Sequence, residues 1–349
     1  MFAGEPLVMM STGRRYTAGV TKDGALWSWG EGYHGQVGHG DKAPRWRPER
    51  FDREMFGGSP AVVVACGGMH TVVLTAVGCV WSCGLGDDGR LGHVNQTDQL
   101  MLALVAGDQF RETHIVMVAA GRDHSMVLDA DGTVWTLGYD NQDQLGLNDE
   151  QRRRVPTRLD GKALGGAATV LVTRGYAHTV VVKVGGALWV WDNGFYGQLG
   201  LCDKHNRMVS VRVGTEGTFG ESQVFMTVCG NVYTLGVTKA GTLWAWGKGE
   251  FGKLGHNDKN NRLVTTQVEA QNFDYAKIVS AAAGVTHTVT ITEYDTLYTW
   301  GKGTHVKLGG GSGKFPWGSS IAPATQSWSP HWLSCYRACA SGAVMDSRQ

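Results

Sequence analysis

"WSWGEGYHGQVG", Trp27 to Gly38, carries Gly30, Gly32 and Gly35 in a G-x-G-x-x-G spacing. Between a strand and a helix, that spacing wraps a dinucleotide pyrophosphate and rests it on the helix N-terminus. The stretch recurs, however. "WSCGLGDDGRLG" repeats it with Gly84, Gly86 and Gly89, and "WAWGKGEFGKLG" with Gly247, Gly249 and Gly252. "WTLGYDNQDQLG", "WVWDNGFYGQLG" and "YTWGKGTHVKLG" are degenerate copies. The first aromatics fall at Trp27, Trp81, Trp135, Trp189, Trp244 and Tyr298, in steps of 54, 54, 54, 55 and 54 residues. Six copies at one period define a repeat architecture, and every motif has to be read inside it.

Each copy has the same grammar. An apolar run ends in a small residue and glycine, as in "VVVACG" or "VMVAAG", and "HTVVLT" or a relative follows. A turn such as "KDG" or "ADG" leads to "ALWSWG" or its equivalent. β-formers joined at D-G or G-G signal hairpins. Beyond the glycine loop, a weaker stretch such as "TTQVEA" or "VSVRVG" suits a fourth strand. Nothing after the third glycine reads as a helix, so the dinucleotide reading fails. Four short antiparallel strands per unit of this length describe a propeller blade. The expected fold is an all-β propeller in one domain, residues 1–349. Its repeats lie near 8–61, 62–115, 116–168, 169–223, 224–277 and 278–330.

In "LWSWG" the two tryptophans share one sheet face. Nine of the 13 tryptophans occupy this strand, and they are expected to form a blade-to-blade core. Each buried ring of about 200 Å² contributes up to roughly 5 kcal/mol. Residues 331–349, with Cys339 to Gly342 loosely matching the "ACG" slot, suit a partial seventh blade or a closing tail. Six blades, a strained closure and a truncated chain all remain compatible with the length. "GGGSGKFPWGSS", residues 309–320, departs from the repeat and is expected to be a flexible loop.

Composition narrows the function. Lys and Arg number 32 against 31 Asp and Glu, a balance unsuited to a nucleic-acid polyelectrolyte or to clinging at acidic membranes. Fifty-one glycines against 8 prolines fit many tight turns rather than a disordered chain. Seven cysteines include no C-x-x-C pair, and Cys79/Cys83 and Cys335/Cys339 have no histidine at zinc-ligand spacing. The start "MFAGEPLVMMST" lacks a signal-peptide pattern, and no apolar run is long enough to span a bilayer. Cytosol or nucleus is the expected location.

The units, in the pattern A-x-G-x-x-H-T-V-x-L-T-x-D-G-x-V-W-x-W-G-x-G-x-x-G-Q-L-G, resemble the repeat of the regulator of chromosome condensation family. The resemblance spans nearly the whole chain and implies a propeller, usually of seven blades. It implies protein binding, guanine-nucleotide exchange on a Ran-like small GTPase, or an adaptor role on chromatin or in a ubiquitin ligase. Exchange-type members present acidic residues in G-D-x-H and G-x-D-H turns. Here "GRDH" supplies Asp123 and His124, but Gly68 stands where the other acid belongs. The near-constant period leaves no room for the wedge insertion of exchange factors between Trp27 and Tyr298. Light-sensing members carry G-W-R-H-T, and no copy here has tryptophan after that glycine. A basic tail of the chromatin-binding kind is absent from the sequence; "RWRPER" and "QRRRVPTR" are its basic clusters.

Comparing copies separates framework from function. His70, His124, His178 and His287 share a slot with Tyr16 and Tyr233, which suits a space-filling hydrogen-bonding side chain better than a metal ligand. Cys66 and Cys229 alternate with Thr12, Ala120, Arg174 and Ala283 and read as packing thiols. The two residues before the His/Tyr slot vary freely: Arg14-Arg15, Gly68-Met69, Arg122-Asp123, Tyr176-Ala177, Asn231-Val232 and Val285-Thr286. They are expected to line one end of the propeller near its axis, where loops on a rigid scaffold bind. The candidate partner-binding residues are therefore Arg14, Arg15, Arg122, Asp123, His124, Arg174 and Tyr176, with Trp46 as a loop aromatic among arginines. An acidic protein surface suits them. No nucleophile–base set or metal cluster recurs, so neither catalysis nor a cofactor is expected. Nucleic acid is expected only indirectly, through chromatin.

Overall fold

The computed structural model describes residues 2, 4–105, 113–140, 144–176, 178–214, 218–303 and 322–323. The 309–320 loop and the 331–349 tail lie outside these residues, as does Ala177. The fold is an all-β propeller of six four-stranded antiparallel blades, with short 3-10 turns as the helical elements among the described residues. Strands follow chain order in every sheet. In blade 1 they are Leu7–Thr12, Tyr16–Thr21, Leu26–Gly30 and Arg45–Arg50. The first strands of blades 2 to 6 are Ala61–Cys66, Ile115–Ala120, Thr169–Arg174, Val224–Cys229 and Ile278–Ala283. The chain divides into two compact units, one up to Val172 and one from Thr173.

Within each unit the core lies between neighbouring sheets. Ala18, Val20 and Leu26 of blade 1 pack with Val64, Val73 and Cys83 of blade 2. Val72, Leu74 and Val80 of blade 2 pack with Ile115, Val118 and Val127 of blade 3. The strand tryptophans do not act as one set: in blade 1 Trp27 is buried and Trp29 half-buried, and in the later blades the order is reversed. Trp191, Trp246 and Trp300, second in their strands, are fully buried. First-position Trp81, Trp135, Trp189 and Trp244 are half-buried. They sit at the far end of the strand, where a phenylalanine covers the ring edge-on: Phe56 on Trp81, Phe219 on Trp244 and likewise Phe273 on Tyr298.

The fourth strands begin earlier than their apolar residues suggest, at Arg207 and Arg262. Arg207 pairs with Asp192 and Arg262 with Gly247 across the ladder, and each arginine also bonds the aspartate four residues back. Arg45–Asp41 and Arg153–Asp149 repeat that pairing. Charge, not hydrophobicity, therefore marks where the outer strand starts in these four blades, while in blade 2 it starts at Gln99.

Candidate functional site at the turn end of the blades

The antiparallel order brings the turn after the first strand and the glycine loop after the third to the same end of each blade. One bond ties them. Glu31 N donates to Arg15 O, Leu85 N to Met69 O, Tyr139 N to Asp123 O, and Lys248 N to Val232 O. The glycines answer to geometry, not to phosphate. Gly84 has φ +112, and a Cβ there would lie 2.4 Å from Met69 O. Gly89 has φ +82, and its Cβ would lie 2.5 Å from Arg154 Cα on the next blade. The third glycine is thus the place where a loop touches its neighbour's outer strand.

The His/Tyr slot is a latch between blades. Thr234 Oγ1 donates to Gln198 O at 2.8 Å, so it receives the Nε2–H of His178 at 2.9 Å. His70 repeats this through Ser125, whose hydroxyl donates to Arg90 O. Tyr233 OH reaches His287 O at 2.7 Å and Thr288 Oγ1 at 2.9 Å, and Tyr16 OH bonds His70 O and Thr71 Oγ1. Tyrosine and histidine do the same work, as their exchange between copies implies. Burial holds the His178 imidazole down at about 3, helped by the nearby Arg174 charge. His124 is 1 % exposed, so it belongs to this framework and not to a partner-facing surface. Burial likewise pushes the Cys66 thiol up to about 11 and Cys229 to about 12, in keeping with packing roles.

In the first unit the turn end is an ion-pair ladder. Asp123 accepts from Arg90 at 2.7 Å and from Arg122 at 3.1 Å. Asp88 accepts from Arg90 at 3.1 Å and from Arg152 at 2.8 Å. Arg152 also lies over the Tyr139 ring. Arg90 is buried, while Arg122 and Arg152 stand out. Arg14 and Arg15 are exposed in the blade 1 turn, Arg15 paired with Glu31 at 2.9 Å. The aspartates lie beneath a layer of guanidinium groups. Trp46 is 89 % exposed but sits on the outer strand Arg45–Arg50, not in a loop. Its register neighbour Arg45 pairs with Gly30, which puts Trp46 towards the same end of the blade.

In the second unit Tyr176 is exposed in its turn, as expected. Arg174 is not on that surface. It ends its strand half-buried, Nε at 3.4 Å from Thr179 Oγ1, with both terminal nitrogens sealed from solvent. The sequence analysis read Arg152 only as part of the "QRRRVPTR" cluster and passed over Arg90 and the glycine-loop residues Phe195, Tyr196, Lys248, Phe251 and Lys302. For the glycine-loop residues the signal was present, because the x positions of G-x-G-x-x-G vary as freely as those of the first turn. Among the described residues no group of three or more His, Cys, Asp or Glu is placed to hold a metal, and no helix is long and apolar enough to cross a membrane.

A family model described as the RCC1-like domain matches residues 53–340, and the regulator of chromosome condensation (RCC1) repeat matches residues 23–74. The chain belongs to the RCC1-like family. It is 33 % identical to the ultraviolet-B receptor UVR8 of Arabidopsis thaliana over 307 residues, 88 % of this chain and 67 % of that one. It is 28 % identical to the E3 ubiquitin-protein ligase HERC2 of Homo sapiens over 305 residues, 87 % of this chain but 6 % of HERC2. The crystal structure of Prp20p from Saccharomyces cerevisiae superposes with a TM-score of 0.76 at 20 % identity, covering 92 % of this chain and 77 % of that one. At that identity the likeness to Prp20p speaks for the fold alone.

Proposed function

We propose that this RCC1-like propeller is a protein-interaction module without covalent chemistry, binding a protein partner at the turn end of its blades. One observation carries the reading: Arg15, Arg122 and Arg152 stand 52–65 % exposed over the half-buried carboxylates of Glu31, Asp123 and Asp88. Exposed guanidinium groups of this kind suit an acidic surface. The turns themselves are laced blade to blade, Gly68 N donating to Gly121 O and to Arg122 O, so the side chains rise from a stiff base. Affinity capture with cross-linking tests this. Partners recovered by the wild type should be lost with Arg15→Glu/Arg122→Glu, a variant whose exposed substitutions leave the melting temperature in place. Unchanged partners would remove the assignment.

Guanine-nucleotide exchange on a Ran-like GTPase is the second reading. Asp123 in the "GRDH" turn supports it. The ion pairs weigh against it, since Asp123 is bound on both oxygens by arginines. Release of fluorescent GDP from a Ran-type GTPase decides: no acceleration by the wild type ends this reading. An adaptor role on chromatin or in a ubiquitin ligase falls within the first reading, and the HERC2 match covers too little of that protein to carry its activity here.

A further inference from the structure

The turn end of the second unit has a different chemistry from the arginine ladder. Blade 4's glycine loop presents Phe195 and Tyr196 edge-to-face at 5.0 Å, with Phe195 62 % exposed. Lys248, the first residue of blade 5's loop, holds its Nζ 4.6 Å from the Tyr196 ring centre. The next seam repeats the device: Lys302 Nζ lies 4.7 Å from the Phe251 ring. Phe251 keeps this place at φ +65, a backbone region that a bulky aromatic rarely enters. Asp88 holds the same slot of blade 2 at φ +63, so this backbone belongs to the repeat's turn, and here it sets a half-buried phenylalanine ring beside a lysine. Three lysines surround one acid here, because Glu250 bonds Lys248 at 2.6 Å while Lys253 and Lys302 add their charge.

We infer that this face docks an acidic peptide segment of a protein partner, its carboxylates meeting Lys248 and Lys302 and its apolar side chains lying on Phe195, Tyr196 and Phe251. The inference rests on the protein-binding reading above and deepens it. Aromatic rings beside cations also suit single-stranded nucleic acid, but that binding follows an extended basic groove. A net charge of +1 over the whole chain favours the peptide.

The test is fluorescence anisotropy with a labelled peptide alternating glutamate with leucine and phenylalanine. Lys248→Glu/Lys302→Glu and, separately, Phe195→Ala/Phe251→Asn are each expected to weaken binding about tenfold or more. Asparagine tolerates the left-handed backbone, so the second variant keeps the loop. The same peptide with glutamine for glutamate should bind poorly, and added salt should weaken the acidic one. Absence of binding, equal binding by either folded variant, or tighter binding of oligothymidine would overturn the inference. Arg15→Glu/Arg122→Glu should leave peptide binding intact. A failed peptide arm with arginine-dependent partner capture preserved sinks this inference alone.

Discussion

His178 is a buried base in a slot that tyrosine fills in two other blades, so His178→Tyr keeps the latch to Thr234 while removing a titration. Its imidazole binds a proton at about 3 in the folded protein against 6.5 in an unfolded chain, because burial and then Arg174 disfavour the cation. A base with a depressed folded value excludes a proton that the unfolded chain accepts. Stability is therefore whole above pH 6.5 and falls as the pH drops from there towards 3. Between pH 7 and pH 5 the loss from this one group is about 2 kcal/mol, from one and a half pH units at roughly 1.4 kcal/mol each. For a compact unit of this size that corresponds to a melting shift of about 4 to 8 °C.

The assay is thermal unfolding followed by tryptophan fluorescence at pH 7, 6 and 5. Burial also lowers His39, His93 and His256, so the wild type carries other acid-sensitive groups, and the informative quantity is the difference between wild type and variant. That difference should move in favour of His178→Tyr by about 2 kcal/mol as the pH falls to 5. If the larger ring displaces Arg174, His178→Gln supplies a second uncharged donor to Thr234 with the same expected flattening of the pH profile. Profiles that fall in parallel for wild type and both variants would refute the argument from burial.

Gly89→Ala places a Cβ against the Arg154 backbone at a positive φ and should cost about 2–4 kcal/mol in urea unfolding. Trp246→Phe removes a fully buried indole whose Nε1 donates to Gln198 O at 2.9 Å, an expected loss of about 2–3 kcal/mol; Trp46→Ala, on an exposed ring, should stay within about 0.5 kcal/mol in the same assay. Asp123→Asn leaves buried Arg90 with Asp88 and Asp87 O but without its 2.7 Å carboxylate partner, and calorimetry should show a loss of about 1–3 kcal/mol.

The fold was legible because its cause repeats. A 54-residue period, paired aromatics and D-G turns need no tertiary knowledge to read, and exchange of His for Tyr at one slot disclosed a hydrogen-bonding role before any partner was visible. Two features were not legible. The fourth strand faces outward, so its start carries no apolar signal and in blades 1, 3, 4 and 5 is set instead by an arginine bonded to an aspartate four residues earlier. Arg174 looked like a loop cation because its neighbours in sequence are turn residues. Strand alternation turns it inward, where it lowers the His178 proton affinity. Direction along a strand decides such cases, and an arginine's length lets either outcome satisfy the same sequence.

The residue after the third glycine shows why comparing copies finds some sites and misses others. Gln36, Arg90, Gln198 and Lys253 occupy it, and in each case the main-chain carbonyl does the structural work, accepting the Thr71, Ser125, Thr234 or Thr288 hydroxyl. The Gln198 and Lys253 carbonyls of blades 4 and 5 also accept from the Trp246 and Trp300 indoles of the blades that follow. A backbone acceptor places no demand on the side chain above it. Gln198 can therefore brace its own loop through Tyr196 N, while Arg90 reaches across to Asp123 and Lys253 lies over Tyr233. Variation at a position bonded through its backbone costs the blade little, and each unit uses it for one neutral and one cationic side chain, Gln36 and Arg90 in the first and Gln198 and Lys253 in the second. The His/Tyr slot, bonded through its side chain, has no such freedom. Whether a slot can acquire a binding role thus depends on which of its atoms holds the neighbouring blade.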